Sequence, residues 1–232
     1  MKQYLIQKLI SLLPVLFGVS LLAFVLGVIT PGNPAELALS QGGYEPTPEQ
    51  ITEMEEQMGL DAPYPVQYLR WVGRALTGDL GTSYSTRNPV GEELARRLPV
   101  TLKLAACSIT LTIILGIALG CTAAAWQGRL PDRIVGALTN TQLSLPAFWL
   151  ALLLILLFAE TLGWLPTSGN GGPRYMIMPA LVLSSASTAT AARLTRSALL
   201  EEFGKQYCTA AMARGISRWR LVLKNALPNA IV

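Results

Sequence analysis

Residues that do chemistry in enzymes are scarce in this sequence. There is no histidine, which removes the commonest general base and the commonest metal ligand. The three cysteines, Cys107, Cys121 and Cys208, lack the spacing of a metal site. They read as small buried hydrophobes rather than as a disulfide framework. No GxxxxGK[ST] phosphate loop is present, so any nucleotide hydrolysis falls to a partner. Two stretches keep a chemical character. One is the small, hydroxyl-rich run Ser184-Ser185-Ala186-Ser187-Thr188-Ala189-Thr190-Ala191-Ala192, and the other is the basic, amphipathic tail from Glu201 to Val232.

The tail predicts two short helices. The first covers about Lys205 to Ala213 and stops at Arg214-Gly215, where glycine can take the left-handed conformation that ends a helix. The second starts near Ile216-Ser217, with Ser217 as a cap, and ends before Pro228. At helical spacing Ile216, Trp219, Leu223, Ala226 and Leu227 share one face, and Arg218, Arg220 and Lys224 fill the rest. Such a helix can lie on anionic lipid, bind nucleic acid through its basic side, or seat its apolar face in a partner's groove. Periodicity alone leaves these open.

Elements that would position these stretches belong to a membrane protein. The 232 residues are 51% hydrophobic and 14% charged, with mean hydropathy +0.42, against about 25% charged in soluble domains. Residues 1–31 read as a first transmembrane helix, because the apolar run Leu9 to Thr30 exceeds a signal-peptide core. Residues 32–98 read as an extracytoplasmic helical segment. In it Thr47, Pro48 and Gln50 open one helix that Gly59 ends, Pro65 to Leu76 forms a second, and Asn88-Pro89 to Leu98 a third. Residues 99–199 read as a transmembrane core with spans at about 101–126, 145–165 and 175–194, and 200–232 as a cytoplasmic segment. Gly116 and Gly120 form a GxxxG pattern that lets another helix of the same chain approach closely. Pro146 is placed to kink the entry of the third span. The spans hold no His, Asp or Lys pair, which argues against an intramembrane enzyme; Glu160 and Lys103 sit near span ends.

Charge orients the chain. The N-terminus, the 126–133 loop and the tail carry eleven Lys and Arg against Asp132, Glu201 and Glu202, a net +8. Residues 32–98 carry ten acids, Glu45 among them, and five arginines, Arg87 among them, a net −5. The positive-inside rule then puts both termini in the cytoplasm and 32–98 outside.

In the tail, Ala210-Ala211, Gly215 four residues on, and Ala226-Leu227-Pro228-Asn229 resemble the EAA signature of ATP-binding-cassette (ABC) importer permeases, with Thr209 where the acidic residue stands. Further matches run along the chain: Thr30-Pro31-Gly32-Asn33-Pro34, Met58-Gly59-Leu60-Asp61, Pro65-Val66-Gln67-Tyr68, Gly78-Asp79-Leu80-Gly81-Thr82-Ser83-Tyr84, Arg97-Leu98-Pro99-Val100-Thr101-Leu102 and Arg193-Leu194-Thr195-Arg196. They are similar to the dipeptide/oligopeptide/nickel branch of that family.

The resemblance implies an all-α, polytopic helical membrane protein of the type I ABC importer permease fold, here without its last two membrane helices. It implies a bacterial or archaeal inner-membrane location. The implied partners are a second homologous permease, two cytoplasmic ABC ATPases that bind ATP and Mg, an extracytoplasmic substrate-binding protein and membrane lipid, with no nucleic acid. No cofactor, metal or catalytic residue is expected in this chain. The implied ATPase-coupling residues are Ala210, Ala211, Arg214, Gly215, Ile216, Trp219, Leu223, Leu227 and Pro228. Ser184, Ser187, Thr188 and Ala191 are candidates to border a translocation path, although small residues serve helix packing as readily. The substrate is expected to be a peptide, nickel or a nickel–metallophore complex. A membrane scaffold with a basic lipid-surface helix is the alternative.

Overall fold

The computed structural model describes residues 2–40, 46–83, 86, 88–169 and 171–230. Glu45, Tyr84, Arg87 and Val232, named above, lie outside them. The chain divides into two compact units, Met1–Arg97 and Leu98–Val232. Among the described residues the regular structure is helical, apart from one isolated bridge between Thr82 and Pro89.

In the first unit, α1 (Lys2–Ile29) is apolar on all sides, as a helix surrounded by lipid must be. Asn33 starts α2 (Pro34–Ser40), its Oδ1 accepting from the Ala35 N–H at 3.0 Å and its Nδ2 donating to Glu55 Oε1 at 2.5 Å. The helix α3 (Pro48–Met58) opens with the expected capping box. Thr47 Oγ1 accepts from the Gln50 N–H, and Gln50 Oε1 accepts from the Thr47 N–H. It closes at Gly59, φ 68°. The helix α4 (Tyr64–Leu76) follows. Tyr68 reaches α1, donating or accepting a hydrogen bond with Ser20 Oγ at 2.8 Å and packing edge-on against Phe17 and Phe24.

The helix expected to stop before Pro99 does not stop. A single helix, α5 (Val90–Ala125), runs through Pro99 and is about 54 Å long at 1.5 Å per residue. Proline removes only its own N–H, and the apolar, helix-favouring run beyond it keeps the remaining backbone groups paired. Glu93 in the first turn gathers Asn88, Arg96 and Arg97, a carboxylate suited to the helix N-terminus.

In the second unit a loop turns α5 into α6 (Leu130–Ser144), a helix where the sequence pattern shows only a short loop and the approach to a span. Its polar residues Asn140, Thr141 and Gln142 mask the periodicity. The expected third span starts after the break foreseen at Pro146. Pro146 marks the junction between α6 and α7 (Ala147–Leu154), which continues as a π-helical turn over Ile155–Thr161. The pair Leu130–Ser144 and Ala147–Thr161 is bent by 109°.

The helix α8 (Pro173–Phe203) outruns the predicted 175–194 by nine residues at its C-terminal end, because charge at Arg193 and Arg196 ends the apolar run without ending the helix. Among the described residues three helices are long and apolar enough to cross a membrane, Ile6–Ile29, Val90–Ala125 and Pro173–Phe203, which gives three candidate spans, or four with the bent pair as one. The chain ends its described part in α9 (Gln206–Ala213), α10 (Arg218–Leu221), a π turn over Val222–Ala226 and α11 (Leu227–Ala230).

Candidate functional site

The two candidate stretches prove to be the two ends of one packing problem. Along the membrane helices, α5 and α8 approach so closely that a Cβ on Gly116 would lie 2.6 Å from the Ala191 Cβ. One on Gly120 would lie 2.5 Å from the Thr195 Cβ and 2.7 Å from the Ala192 carbonyl oxygen. The GxxxG pattern is therefore answered from within the chain by the small-residue run of α8. Of the four path candidates, Ser184 and Thr188 are buried, Ala191 is half-buried against Gly116, and Ser187 is exposed. The buried Thr188 hydroxyl has no hydrogen-bond partner among the described residues.

Where α5 and α8 end, the tail helices fold over them as a cap. Its core is Cys121, Ala124 and Ala125 of α5, Leu199 of α8, Cys208 and Ala211 of α9, and Leu221, Val222 and Ala226 beyond. Ile216, Leu227 and Ala230 pack on its margin. Both core cysteines are buried thiols as expected, whereas Cys107, on the outer side of α5, is exposed and not buried.

The turn between α9 and α10 shows what the Ala-Ala-xxx-Gly spacing does. Gly215, φ 78°, donates its N–H to the Met212 carbonyl at 2.9 Å, and Ile216 donates to the Ala211 carbonyl at 3.3 Å. This paired closure needs a left-handed residue at position 215. Ala211 must be small because its side chain faces the core, whereas Ala210 and Arg214 are exposed.

The second tail helix departs from its predicted form in three ways. Ser217 occupies the cap position, but its side chain makes no cap hydrogen bond. The helix does not end before Pro228. It loosens into the π turn at Val222–Ala226 and resumes through Pro228, which tolerates a residue with no N–H. Finally, the buried face is Leu221, Val222 and Ala226, so of the predicted stripe Ala226 is buried and Ile216 and Leu227 pack at the core's margin, while Trp219 and Leu223 do not join it. A π turn inserts an extra residue, so a 3.6-residue phase carried across it goes out of register. Leu223, 53% exposed, and Trp219, 38% exposed, face away from the core. Trp219 still stacks edge-on against Trp126, ring centroids 5.0 Å apart.

Polar contacts fix the cap, and the sequence pattern does not single them out. Arg218 Nη1 donates to the Ala125 carbonyl at 3.3 Å, placing a cation at the C-terminal end of α5 where the helix dipole favours one. Lys205 and Tyr207 both donate to the Glu202 carboxylate at the end of α8, and Asn229 Nδ2 donates to the Tyr207 hydroxyl at 3.1 Å. Its hydrogen bond to Glu202 pushes the Tyr207 phenol up to about 12, so it remains a donor at physiological pH. The same carboxylate raises the Lys205 ammonium. Arg196 grips Asp132 with two bonds, 2.7 and 2.9 Å, and Asp132 also accepts from the Gly128 N–H. That fork, a geometry to which arginine is suited, ties the α5–α6 loop to α8 beside a cleft of about 240 Å³ that Arg133 and Arg193 also line.

Helix packing of this kind serves many membrane proteins, and the comparisons with known proteins decide which this is. The family described as "binding-protein-dependent transport system inner membrane component" matches residues 116–232, and its N-terminal counterpart matches residues 1–105. This chain belongs to that family. It is similar over its whole length to the glutathione transport system permease protein GsiC of Salmonella paratyphi A, with 39% identity covering 75% of that relative. The GsiC proteins of Escherichia coli O6:H1 and of Escherichia coli K12 match at 39% and 38% over the same shares. The chain is a multi-pass inner-membrane permease subunit of an ABC importer. It is not itself an enzyme; the ATPase is a separate subunit, and a partner permease and a substrate-binding protein complete the system.

Proposed function

We propose that this permease imports short peptides of the glutathione type, taking ATP-driven motion through the cap formed by α9, α10 and α11. The similarity to GsiC along the full chain supports that substrate class; nickel and nickel–metallophore complexes, equally open on motif grounds, gain no such support. In this reading two cytoplasmic ATPases holding ATP and Mg serve two permeases, and the termini are cytoplasmic with residues 32–98 outside, as the charge asymmetry favours. The observation that carries the coupling role is the cap's construction. Its inner face is consumed by α5 and α8 while Leu223 and part of Trp219 stay outward, leaving an apolar edge for a groove. Motion of an ATPase gripping that edge passes directly to both helices, because the cap core contains residues of both.

The substrate reading is tested by uptake in cells lacking their own peptide importers and given this permease with its partner subunits. Radiolabelled glutathione or dipeptide should accumulate in an ATP-dependent way. Accumulation of radioactive nickel with no peptide uptake would overturn the assignment.

A further inference from the structure

The helix α4 has an unpaired apolar face in a place where water is not the natural solvent. Around its axis Gln67, Arg70 and Arg74 fall on one side, and Tyr64, Tyr68, Leu69, Trp71, Val72 and Leu76 spread over the rest. The polar side is engaged by its own unit. Gln67 Nε2 donates to the Leu60 and Ala62 carbonyls at 2.9 and 2.7 Å, and Arg70 and Arg74 line a recess with Glu56 and Gly59 at the end of α3. On the apolar side Tyr68 is engaged with α1 and with Trp71, whereas Leu69 is 68% and Leu76 is 83% exposed among the described residues.

The contact that locates this face is Tyr68 on α1. It meets Phe17, Ser20 and Phe24, which run from the centre of the span Ile6–Ile29 towards its C-terminal end. Ser20 is about 13 Å of helix rise before Ile29, inside a hydrocarbon layer about 30 Å thick. At thirteen residues α4 is about 20 Å long, too short to cross that layer. Its exposed apolar side continues the lipid-facing surface of α1, which is unburied along its whole apolar window. Tyr64, Tyr68 and Trp71 are the residue types that populate the membrane interface.

We propose that α4 is a membrane-embedded amphipathic helix, lying in the bilayer half into which the C-terminal end of α1 leads, with Leu69 and Leu76 against acyl chains and α3 covering its polar side. Residues 32–98 are then only partly an aqueous segment. The proposal rests on α1 being a membrane span and not on the substrate assigned above.

The test places a nitroxide at position 57, 69 or 76 through a ketone-bearing unnatural residue, which leaves Cys107, Cys121 and Cys208 untouched. Each labelled permease is assembled with its partner subunits in lipid nanodiscs, and collision rates with oxygen and with a water-soluble nickel chelate are read by electron paramagnetic resonance. Labels at Leu69 and Leu76 should favour oxygen several-fold over the chelate, and a label at Gln57 the reverse. Chelate access at 69 and 76 equal to that at 57 would overturn the proposal in favour of water. Exclusion of both reagents there would overturn it in favour of a covering protein. ATP hydrolysis stimulated by glutathione or dipeptide with the substrate-binding protein, read on the same nanodiscs, reports separately on the importer reading.

Discussion

At Gly215 the backbone sits at φ 78° with open space where a Cβ would be. Substitution there acts through conformation and not through collision. Holding an L residue in the left-handed region costs about 1–2 kcal/mol, and a β-branched side chain is worse placed still. Gly215→Ala should therefore leave membrane insertion intact and weaken ATPase attachment several-fold, with Gly215→Val more severe; co-purification of the ATPase from detergent extracts measures both. Equal retention by both variants would show that the turn is not under this constraint. This position was legible because a glycine four residues after a paired alanine has one good local use. Arg218 was not: its value lies in the Ala125 carbonyl, ninety-three residues away, and nothing local marks a charged residue as a helix-end partner.

Among the elements, packing is written where two helices must touch and obscured where the helix changes its period. Gly116 and Gly120 announce a close approach, and α8 supplies it through Ala191, Ala192 and Thr195. On the inner face of α10 and its continuation Leu221 and Val222 were missed for the opposite reason, since the π turn at Val222–Ala226 breaks the phase on which a stripe is drawn. The continuation of α5 through Pro99 was also hidden, because proline is a reliable stop only where water can compete for the backbone.

Within α8 the hydroxyl run now separates into two roles. Thr188 is buried, its hydroxyl without a partner among the described residues, and Ser187 is exposed. Thr188→Val keeps the side-chain shape while removing a polar atom that has no bond to lose, a change that can be neutral or stabilising. Its thermal unfolding midpoint in detergent should stay the same or rise, with transport unchanged. Ser187→Leu should instead reduce peptide uptake while the second permease still co-purifies. Loss of uptake in the valine variant, with assembly intact, would reassign Thr188 to the path; loss of assembly in the leucine variant would return Ser187 to packing.

For the whole importer, the question is which atoms of the cap belong to this subunit and which are offered to another. Trp219 is a poor probe, because it serves Trp126 as well as the outer surface, so Trp219→Asp would disturb both. Leu223 is the cleaner one. It is 53% exposed, lies outside the cap core and sits between the buried Val222 and Ala226. Burying a leucine side chain in a partner contributes about 1.5–3 kcal/mol, a loss of roughly ten- to hundredfold in affinity. Leu223→Asp should thus release the ATPase while the permease remains folded, seen as an unshifted unfolding midpoint in detergent.

Arg218→Gln should show the opposite signature. Removing the cation from the end of α5 loosens the cap itself, lowering the unfolding midpoint before attachment is affected. Lys224, exposed and with no ion pair among the described residues, should be near neutral in both measurements, since exposed charges contribute about 0–1 kcal/mol. A cap held against anionic lipid instead of an ATPase would reverse the order. Lys224→Gln would then weaken membrane-dependent behaviour in anionic nanodiscs, and Leu223→Asp would retain the full complement of ATPase in neutral ones. ATPase pull-down by these three variants in the two lipid compositions reads the order directly.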